Sequence, residues 1–137
     1  MSGNEGLVEA LEAANRASPF HRVTGFRVVE AAEGEAKLAF EATSELLNHA
    51  GVLHAGVQCA ALDTAAGYAA ATIAGPVVTL SFTTTFLSSA KGERFTAEGR
   101  VIKAGKSQLF VEARLHVERG GEQRLAATAN AVLARAG

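Results

Sequence analysis

The sequence predicts an α+β fold in which an antiparallel β-sheet wraps around one long, alanine-rich central helix, with a short helix at the N-terminus. Two observations predict this fold. Residues 55–75 are mostly small and apolar on every side of a helix, so this helix needs cover on every side. Segments whose apolar residues recur with a period of two lie before and after it, and a curved antiparallel sheet built from them supplies that cover.

The N-terminal helix is predicted over residues 5–17. Leu7 and Leu11 lie on one apolar stripe, and charged residues lie off that stripe. Ser18 and Pro19 follow, and proline ends a helix because it has no backbone N–H and clashes with the preceding turn. The segment is therefore an amphipathic helix that packs by one face.

Two strands are predicted between this helix and the central one. Phe26 and Val28 alternate with Arg27, and after a turn at Glu33-Gly34 the alternation resumes over residues 36–40, which is typical of a hairpin. Four strands follow the central helix, with glycine-containing turns before the last two; they cover Val77–Phe86, Phe95–Ile102, Gln108–Val117 and Arg124–Leu133.

The strand at residues 77–86 is predicted to serve two different surfaces, because successive side chains point to opposite faces. One face is apolar apart from Thr84 and carries Val78, Leu80, Phe82, Thr84 and Phe86. The other face is rich in hydroxyl groups and carries Val77, Thr79, Ser81, Thr83 and Thr85.

Length and composition predict one globular domain over residues 1–137, since 48% of the residues are hydrophobic and 20% are charged. The formal net charge of −1 argues against nucleic acid and anionic membranes as partners. Cys59 is the single cysteine, and residues 1–16 lack the pattern of a signal peptide, so a reducing cytoplasm is expected. One sheet of this size covers only part of the central helix, which predicts at least a dimer.

The segment NHAGVLHAGVQCAALD, Asn48 to Asp63, carries the chemistry. The central helix is expected to begin near His54 or Ala55, where glycine and alanine leave the backbone accessible. The first turn of a helix has unpaired N–H groups and the positive end of the helix dipole. The amides of residues 55–57, Gly56 among them, are therefore expected to form an oxyanion hole.

Asp63 is the one carboxylate in this apolar segment. It follows Gly56 by seven residues, which is roughly 10 Å along a helix axis and nearly the same helix face. Walled by alanines, the carboxylate is expected to be desolvated and to act as a general base. The alternative is a structural role, in which Asp63 hydrogen-bonds Thr64 or a neighbouring amide.

The other polar residues of the segment leave several roles open. His54 is expected to anchor the entry loop, and with His49 alone nearby the spacing predicts no metal site. Asn48 either orients a water or holds the loop. A nucleophilic pairing of Cys59 with His54 is disfavoured, because a cysteine among alanines usually packs as a small apolar side chain. His21 and His116 carry no signal.

The pattern Asn48-His49-Ala50-Gly51-Val52-Leu53-His54-Ala55-Gly56, followed by Asp63 in LDTAAGYAA, closely resembles the hot-dog thioesterase superfamily, in its PaaI-like branch. The resemblance covers nearly the whole chain, from the leading helix to the closing strands. It implies a hot-dog domain, an acyl-CoA thioester as substrate, a homo-oligomer that is a dimer or a dimer of dimers, and no cofactor.

The resemblance also implies roles for individual residues. Asp63 matches the general base or nucleophile, Asn48 the group that positions water or thioester, and His54 the residue that shapes the loop. Ser81, eighteen residues beyond the aspartate, matches a hydroxyl that places the water, from the neighbouring chain or close to it. The oxyanion hole falls on Ala55 and Gly56, where the family usually has two glycines; alanine keeps the amide and loses only access to positive φ.

The implied reaction is transfer of an acyl group to water, with Asp63 activating water or attacking directly. Cations near strand ends and turns could meet the phosphates of coenzyme A; they are Lys91, Arg94, Arg100, Lys103 and Lys106. Two alternatives remain: a hydratase or dehydratase on the same fold, which needs a histidine aimed into the site, and a module that binds acyl-CoA without cleaving it.

Overall fold

The computed structural model of the chain describes residues 2–136, with side chains described from Asn4 onward. Residues 2–136 form three helices, six strands and one short 3-10 turn. In chain order they are α1 (Ser2–Ala17), α2 (Pro19–Thr24), β1 (Arg27–Ala32), β2 (Glu35–Glu41), the 3-10 turn (Ser44–Leu46), α3 (Ala55–Ala74), β3 (Val77–Phe86), β4 (Arg94–Ala104), β5 (Gln108–Arg119) and β6 (Glu122–Arg135).

All strand pairs are antiparallel, and the sheet has the order β1-β2-β4-β5-β6-β3. β3 therefore leaves the hairpin order and forms one edge of the sheet, while β1 forms the other. The central helix α3 packs across the inner face of the sheet, and α1 packs beside β1. This is the predicted α+β hot-dog architecture, and the prediction of the fold class is confirmed.

The helix α3 packs unusually close to the sheet because its buried side is made of alanines, which include Ala61, Ala65, Ala66, Ala69 and Ala70. The approach is closest at β4, where a Cβ atom built on Gly99 would lie 2.4 Å from the Ala65 carbonyl oxygen. Glycine is thus required at position 99, because the helix backbone that a side chain would meet cannot move aside by changing rotamer.

Within residues 2–136, no helix combines the length and apolar character needed to span a bilayer.

Gly99→Ala is expected to destabilise the fold by about 3 kcal/mol, the upper range for overpacking a core, because helix and strand must separate to admit the methyl group. Chemical denaturation measures the change. Gly6→Ala is the control, since a Cβ at Gly6 in α1 meets nothing within 4 Å; it is expected to raise stability by about 0.5–1 kcal/mol through helix propensity. Equal stability of Gly99→Ala and the parent would contradict the close packing.

The short helix α2 was not predicted from the period of the sequence, although its start and stop signals are present. Ser18 caps it by accepting a hydrogen bond from the His21 amide at 3.4 Å, and Pro19 occupies its first position. Gly25, at φ 77°, ends it in the left-handed conformation. Six residues are too few to show an amphipathic period, so only the capping residues could have indicated this helix.

The predicted division of β3 into two faces is wrong at the start of the strand. The register to β6 pairs Thr79 with Leu133 and then Ser81 with Val132, so that Leu80 is an extra, bulged residue. A bulge of one residue reverses which face the following side chains occupy. Thr79 therefore shares the inner face with Phe82 and Thr84, whereas Ser81 lies on the outer one.

Candidate active site

Asp63 lies on the side of α3 that faces the edge strand β3. The Thr79 hydroxyl donates a hydrogen bond to its Oδ1 atom at 2.8 Å. In one chain the aspartate is partly exposed rather than enclosed by alanines as the sequence predicted. Because one carboxylate oxygen is fixed by Thr79, the second is free to face a water or substrate from the open side.

Thr79, not Ser81, is the hydroxyl that the fold brings to Asp63 within the same chain. Ser81 pairs with Val132, whose neighbours Ala131 and Leu133 both point into the core, so the Ser81 side chain points away from α3. A role for Ser81 at the site of a second chain stays a prediction.

The first turn of α3 leaves one amide available. His54 caps the helix: its Nδ1 accepts from the Gly56 amide at 2.8 Å, and its carbonyl accepts from the amides of Val57 and Gln58 at 3.0 Å each. Within residues 2–136, no acceptor lies within hydrogen-bonding distance of the Ala55 amide. Of the amides that the sequence predicts for an oxyanion hole, that of Ala55 is the one left without a partner in the described part of the chain, and it lies at the positive end of the helix dipole.

Gly56 has a steric role next to this amide. A Cβ atom at position 56 would lie 2.9 Å from Nδ1 of His54 and 3.0 Å from its Cε1, so a side chain there would push the imidazole out of its capping position. The His54 prediction as a residue that shapes the loop agrees with this geometry. The ring acts on backbone and does not reach toward Asp63 in the same chain.

Asn48 holds the loop that leads to α3. Its Oδ1 accepts hydrogen bonds from the backbone amides of Ala50 at 2.9 Å and Val52 at 3.1 Å. The backbone N–H of Asn48 donates to the Val52 carbonyl at 2.8 Å. Of the two predicted roles, holding the loop is the one seen in the chain. Only the Nδ2 group is left to position a water or a thioester.

Cys59 faces β3, where its sulfur lies 3.8 Å from the Thr84 hydroxyl. His54, the partner considered for it, already accepts a hydrogen bond from the Gly56 amide through Nδ1. The two side chains do not form a hydrogen-bonded pair, so the arrangement needed for a cysteine nucleophile is absent from this part of the described chain.

The structure adds His21, which the sequence did not single out. From α2 its ring reaches α3, with Nδ1 at 3.3 Å from the Tyr68 hydroxyl and Nε2 at 3.5 Å from the Thr64 hydroxyl. Tyr68 in turn donates to Oδ1 of the buried Asn15 at 2.8 Å. Thr64 is the residue after Asp63, so this network of hydrogen-bonded side chains ends beside the Asp63 carboxylate.

Burial determines the charge states of His21 and Tyr68 in this network. It lowers the pKa of His21, against a smaller opposing effect of a hydrogen bond to the Asn15 backbone, and it raises the pKa of Tyr68 to about 12, with a further contribution from the Glu12 charge. His21 is thus neutral at neutral pH. Since the Tyr68 proton is directed at Asn15, His21 carries its proton on Nδ1, and Nε2 accepts from Thr64.

The lowered pKa of His21 predicts a loss of stability in acid. Below a pH of about 6.5 the unfolded chain protonates this histidine while the folded chain resists, so stability falls as pH falls from there toward the lowered value. Thermal unfolding at pH 7.5 and 5.5 measures the loss, which is expected to be smaller in His21→Gln. Equal losses in parent and variant would show that His21 is not the group responsible.

Solved structures similar to this chain are thioesterase-fold proteins. A thioesterase family protein from Silicibacter pomeroyi is 30% identical, with a TM-score of 0.89 over 93% of this chain and 96% of that one. The Escherichia coli PaaI protein, from the phenylacetic acid degradation operon, has a TM-score of 0.88 over 98% of this chain and 96% of that one. At 21% identity, the second likeness shows the shared fold alone.

Sequence comparison agrees with these likenesses. A Saccharolobus solfataricus protein that is named only provisionally as an esterase is 29% identical over 111 residues, which are 79% of each chain. The family model of the thioesterase superfamily matches residues 50–123, more than half of the chain, from the loop before α3 to the start of β6. The match contains Ala55, Asp63 and Thr79, and this chain belongs to the thioesterase superfamily.

Proposed function

We propose that the protein is an acyl-CoA thioesterase that hydrolyses an aryl- or a short- to medium-chain acyl-CoA to the free acid and CoA. The observation that carries the proposal is a carboxylate, Asp63, held by Thr79 on an accessible side of α3, in a chain whose helix also presents a free N-terminal amide at Ala55. Membership of the thioesterase superfamily supports the reaction class.

In the proposed reaction, Asp63 takes a proton from a water whose oxygen attacks the thioester carbonyl carbon. Negative charge develops on the carbonyl oxygen, where the Ala55 amide and the positive end of a helix stabilise it. The carbon–sulfur bond then breaks, and the thiolate leaves and takes up a proton to give CoA. In the second route Asp63 attacks the carbon itself, and water hydrolyses the resulting anhydride.

Ala55 and Asp63 of one chain are too far apart for this chemistry. They are eight residues apart in α3, which is about 12 Å along the axis, and the N–H groups of a helix point toward its N-terminus, away from Asp63. A carbonyl bound at Ala55 therefore lies beyond the end of its own helix. We propose that each site combines Asp63 of one chain with the Ala55 amide of a second copy.

The edge strand β3 supports the pairing of two copies. Its unpaired side exposes backbone, and the apolar side chains Val78, Leu80 and Phe86 are each about half exposed. The unpaired backbone groups of an exposed apolar edge strand are a template for pairing with a strand of another chain. Antiparallel pairing of β3 with β3 about a two-fold axis would continue the sheet and bring the two α3 helices side by side in opposite directions. A dimer, or a dimer of dimers, follows.

The test is steady-state thiol release from phenylacetyl-, hydroxybenzoyl-, short-, medium- and long-chain acyl-CoA, beside an oxygen ester of the same acid. Hydrolysis of one or more acyl-CoA substrates, with the oxygen ester cleaved far more slowly, is the expected result. Preference for the oxygen ester would make the protein an esterase. Absence of cleavage across the panel would favour a module that binds acyl-CoA without hydrolysing it.

A hydratase is the second candidate, and His21 is the observation that favours it. A hydratase needs a histidine near the carboxylate, and His21 reaches Thr64, the residue next to Asp63. Adding a 2-enoyl-CoA to the panel separates the two reactions, because hydration consumes the double bond without releasing thiol. We expect thiol release, since both ring nitrogens of His21 already have partners.

A further inference from the structure

A cavity of about 320 Å³ lies at the end of the sheet where α3 begins. Three cations line it: Lys91 from the loop after β3, Arg119 from the end of β5 and Arg124 from the start of β6. Val117, Gly120 and Glu122 complete the lining. The cavity thus concentrates positive charge in a protein whose formal net charge is −1.

The cavity is on the same side of the sheet as α3. Arg124 pairs directly with Val117, and residues opposite each other in antiparallel strands share a face. Val117 belongs to the buried core cluster on the inner face of the sheet, so Arg124 lies on this inner face as well. Arg119 pairs with Glu122 two positions further along and belongs to the same face by alternation.

The backbone around Lys91 is held firmly between the start of α3 and the end of β5. The Leu53 amide, just before the helix cap, donates to the Ala90 carbonyl at 3.0 Å. On the other side the Glu93 amide donates to the Glu118 carbonyl at 2.9 Å. At Gly92 the chain packs so closely that a Cβ would lie 2.5 Å from the Glu118 carbonyl oxygen. The backbone at Lys91 is therefore fixed at the end of the sheet where α3 begins.

The three cations are not neutralised by the fold. Across residues 2–136, no carboxylate oxygen lies within 4.0 Å of their charged groups, and Glu122 is the one acidic residue of the lining. The other cations that the sequence suggested for phosphate binding are either paired with a carboxylate or distant from the cavity. Arg94 pairs with Glu118 at 4.0 Å and Arg100 with Glu112 at 2.6 Å, while Lys103 and Lys106 lie at the opposite end of the sheet.

We propose that Lys91, Arg119 and Arg124 bind the phosphate groups of the coenzyme A nucleotide. The inference rests on the proposed function for the identity of the ligand. Guanidinium and ammonium groups are the usual partners of phosphate, and an unpaired set of them in a concave site is suited to a group that carries several negative charges. The cavity lies at the end of the sheet where α3 begins, which is also the end that carries the Ala55 amide, so the pantetheine arm of a CoA thioester would span the distance between the carbonyl at the amide and the phosphates in the cavity.

The experiment compares the triple variant Lys91→Gln/Arg119→Gln/Arg124→Gln with the control Lys103→Gln/Lys106→Gln, which removes surface charge at the far end of the sheet. Two readouts are measured. Isothermal titration gives the affinity for CoA, 3′-dephospho-CoA and pantetheine, which has no phosphates. Steady-state kinetics give KM and kcat for an acyl-CoA and for the same acyl group on N-acetylcysteamine, which has no phosphates.

The triple variant is expected to bind CoA at least about tenfold more weakly and to show a KM for acyl-CoA raised by a similar factor, with kcat and the N-acetylcysteamine thioester unaffected. The control is expected to match the parent. Affinity of the parent for CoA is expected to fall with added salt. The parent is expected to bind dephospho-CoA more weakly than CoA. If the 3′-phosphate is the group bound, this difference in affinity is expected to be smaller in the triple variant.

The titration separates this inference from the proposed reaction. If the parent binds CoA through these residues and hydrolyses nothing, the phosphate site stands and the thioesterase proposal fails. If the triple variant binds CoA as the parent does, or if it loses the N-acetylcysteamine substrate equally, the phosphate site is wrong. Parent protein that binds no CoA in titration also overturns it. Arg124→Lys in place of Arg124→Gln keeps the charge and is expected to restore part of the affinity.

Discussion

Asp63→Asn is expected to lower kcat for acyl-CoA hydrolysis by about 10³-fold, the scale on which general bases and nucleophiles contribute, with little change in KM. Asparagine has the same shape as aspartate and still accepts a hydrogen bond from Thr79, so the fold and the packing of α3 against β3 are preserved. What is lost is the negative charge that takes the proton from water or attacks the carbonyl. Thiol release measures kcat, and thermal unfolding confirms that the variant is folded.

Matched variants on β3 test how Asp63 is held. Thr79→Val removes the hydroxyl but keeps the shape, and it is expected to lower kcat by about tenfold, because one carboxylate oxygen loses a hydrogen bond of the ordinary strength. Ser81→Ala, on the outer face of the same strand, is expected to lower kcat only if its hydroxyl reaches the site of a second chain, and otherwise to change it by less than about twofold. A large effect at Ser81 with none at Thr79 would show that Ser81 acts in a second chain.

If Asp63→Asn hydrolysed acyl-CoA at the parent rate, both roles proposed for Asp63, general base and nucleophile, would be excluded.

Ala55→Pro is expected to lower kcat by about 10²-fold, as the loss of one oxyanion donor does in other acyl-transfer enzymes. Proline removes the amide hydrogen and little else. It is favoured at the first position of a helix, and His54 already has φ −54° and ψ 135°, the extended conformation that a residue before proline adopts. Ala55→Gly keeps the amide and is the control; it is expected to retain kcat within about twofold. Full activity of Ala55→Pro would place the oxyanion donor elsewhere.

Pairing the two inactive variants tests whether each site is built from two chains. In a heterodimer of Asp63→Asn with Ala55→Pro, isolated by two different affinity tags, one site combines both defects and the other combines neither, provided that each site takes Asp63 and Ala55 from different chains. About half the activity of the parent dimer is then expected. If both residues act from the same chain, every site carries one defect and the heterodimer is as inactive as the two homodimers.

The residues next to each other in the chain were enough to predict most elements of this fold. The period of two in the strands and the uninterrupted small residues of α3 are local patterns, and each strand and the long helix occur where these patterns predicted them. Asp63 and the start of α3 at His54 and Ala55 follow from the same segment. Each of these features depends on side chains within one or two turns or strand repeats, so the sequence determined them without reference to the rest of the chain.

The partners of these residues depended on contacts between distant elements, and only the tertiary structure decided them. The bulge at Leu80 is a matter of register between β3 and β6, and it places Thr79 rather than Ser81 beside Asp63 of the same chain. His21 meets Thr64 because α2 docks on α3, across 43 residues of sequence. Which cations stay unpaired likewise follows from strand pairing, since cross-strand carboxylates engage Arg94 and Arg100 and leave Lys91 free beside the start of α3. Local periodicity predicts elements, whereas the register between them determines which side chains meet.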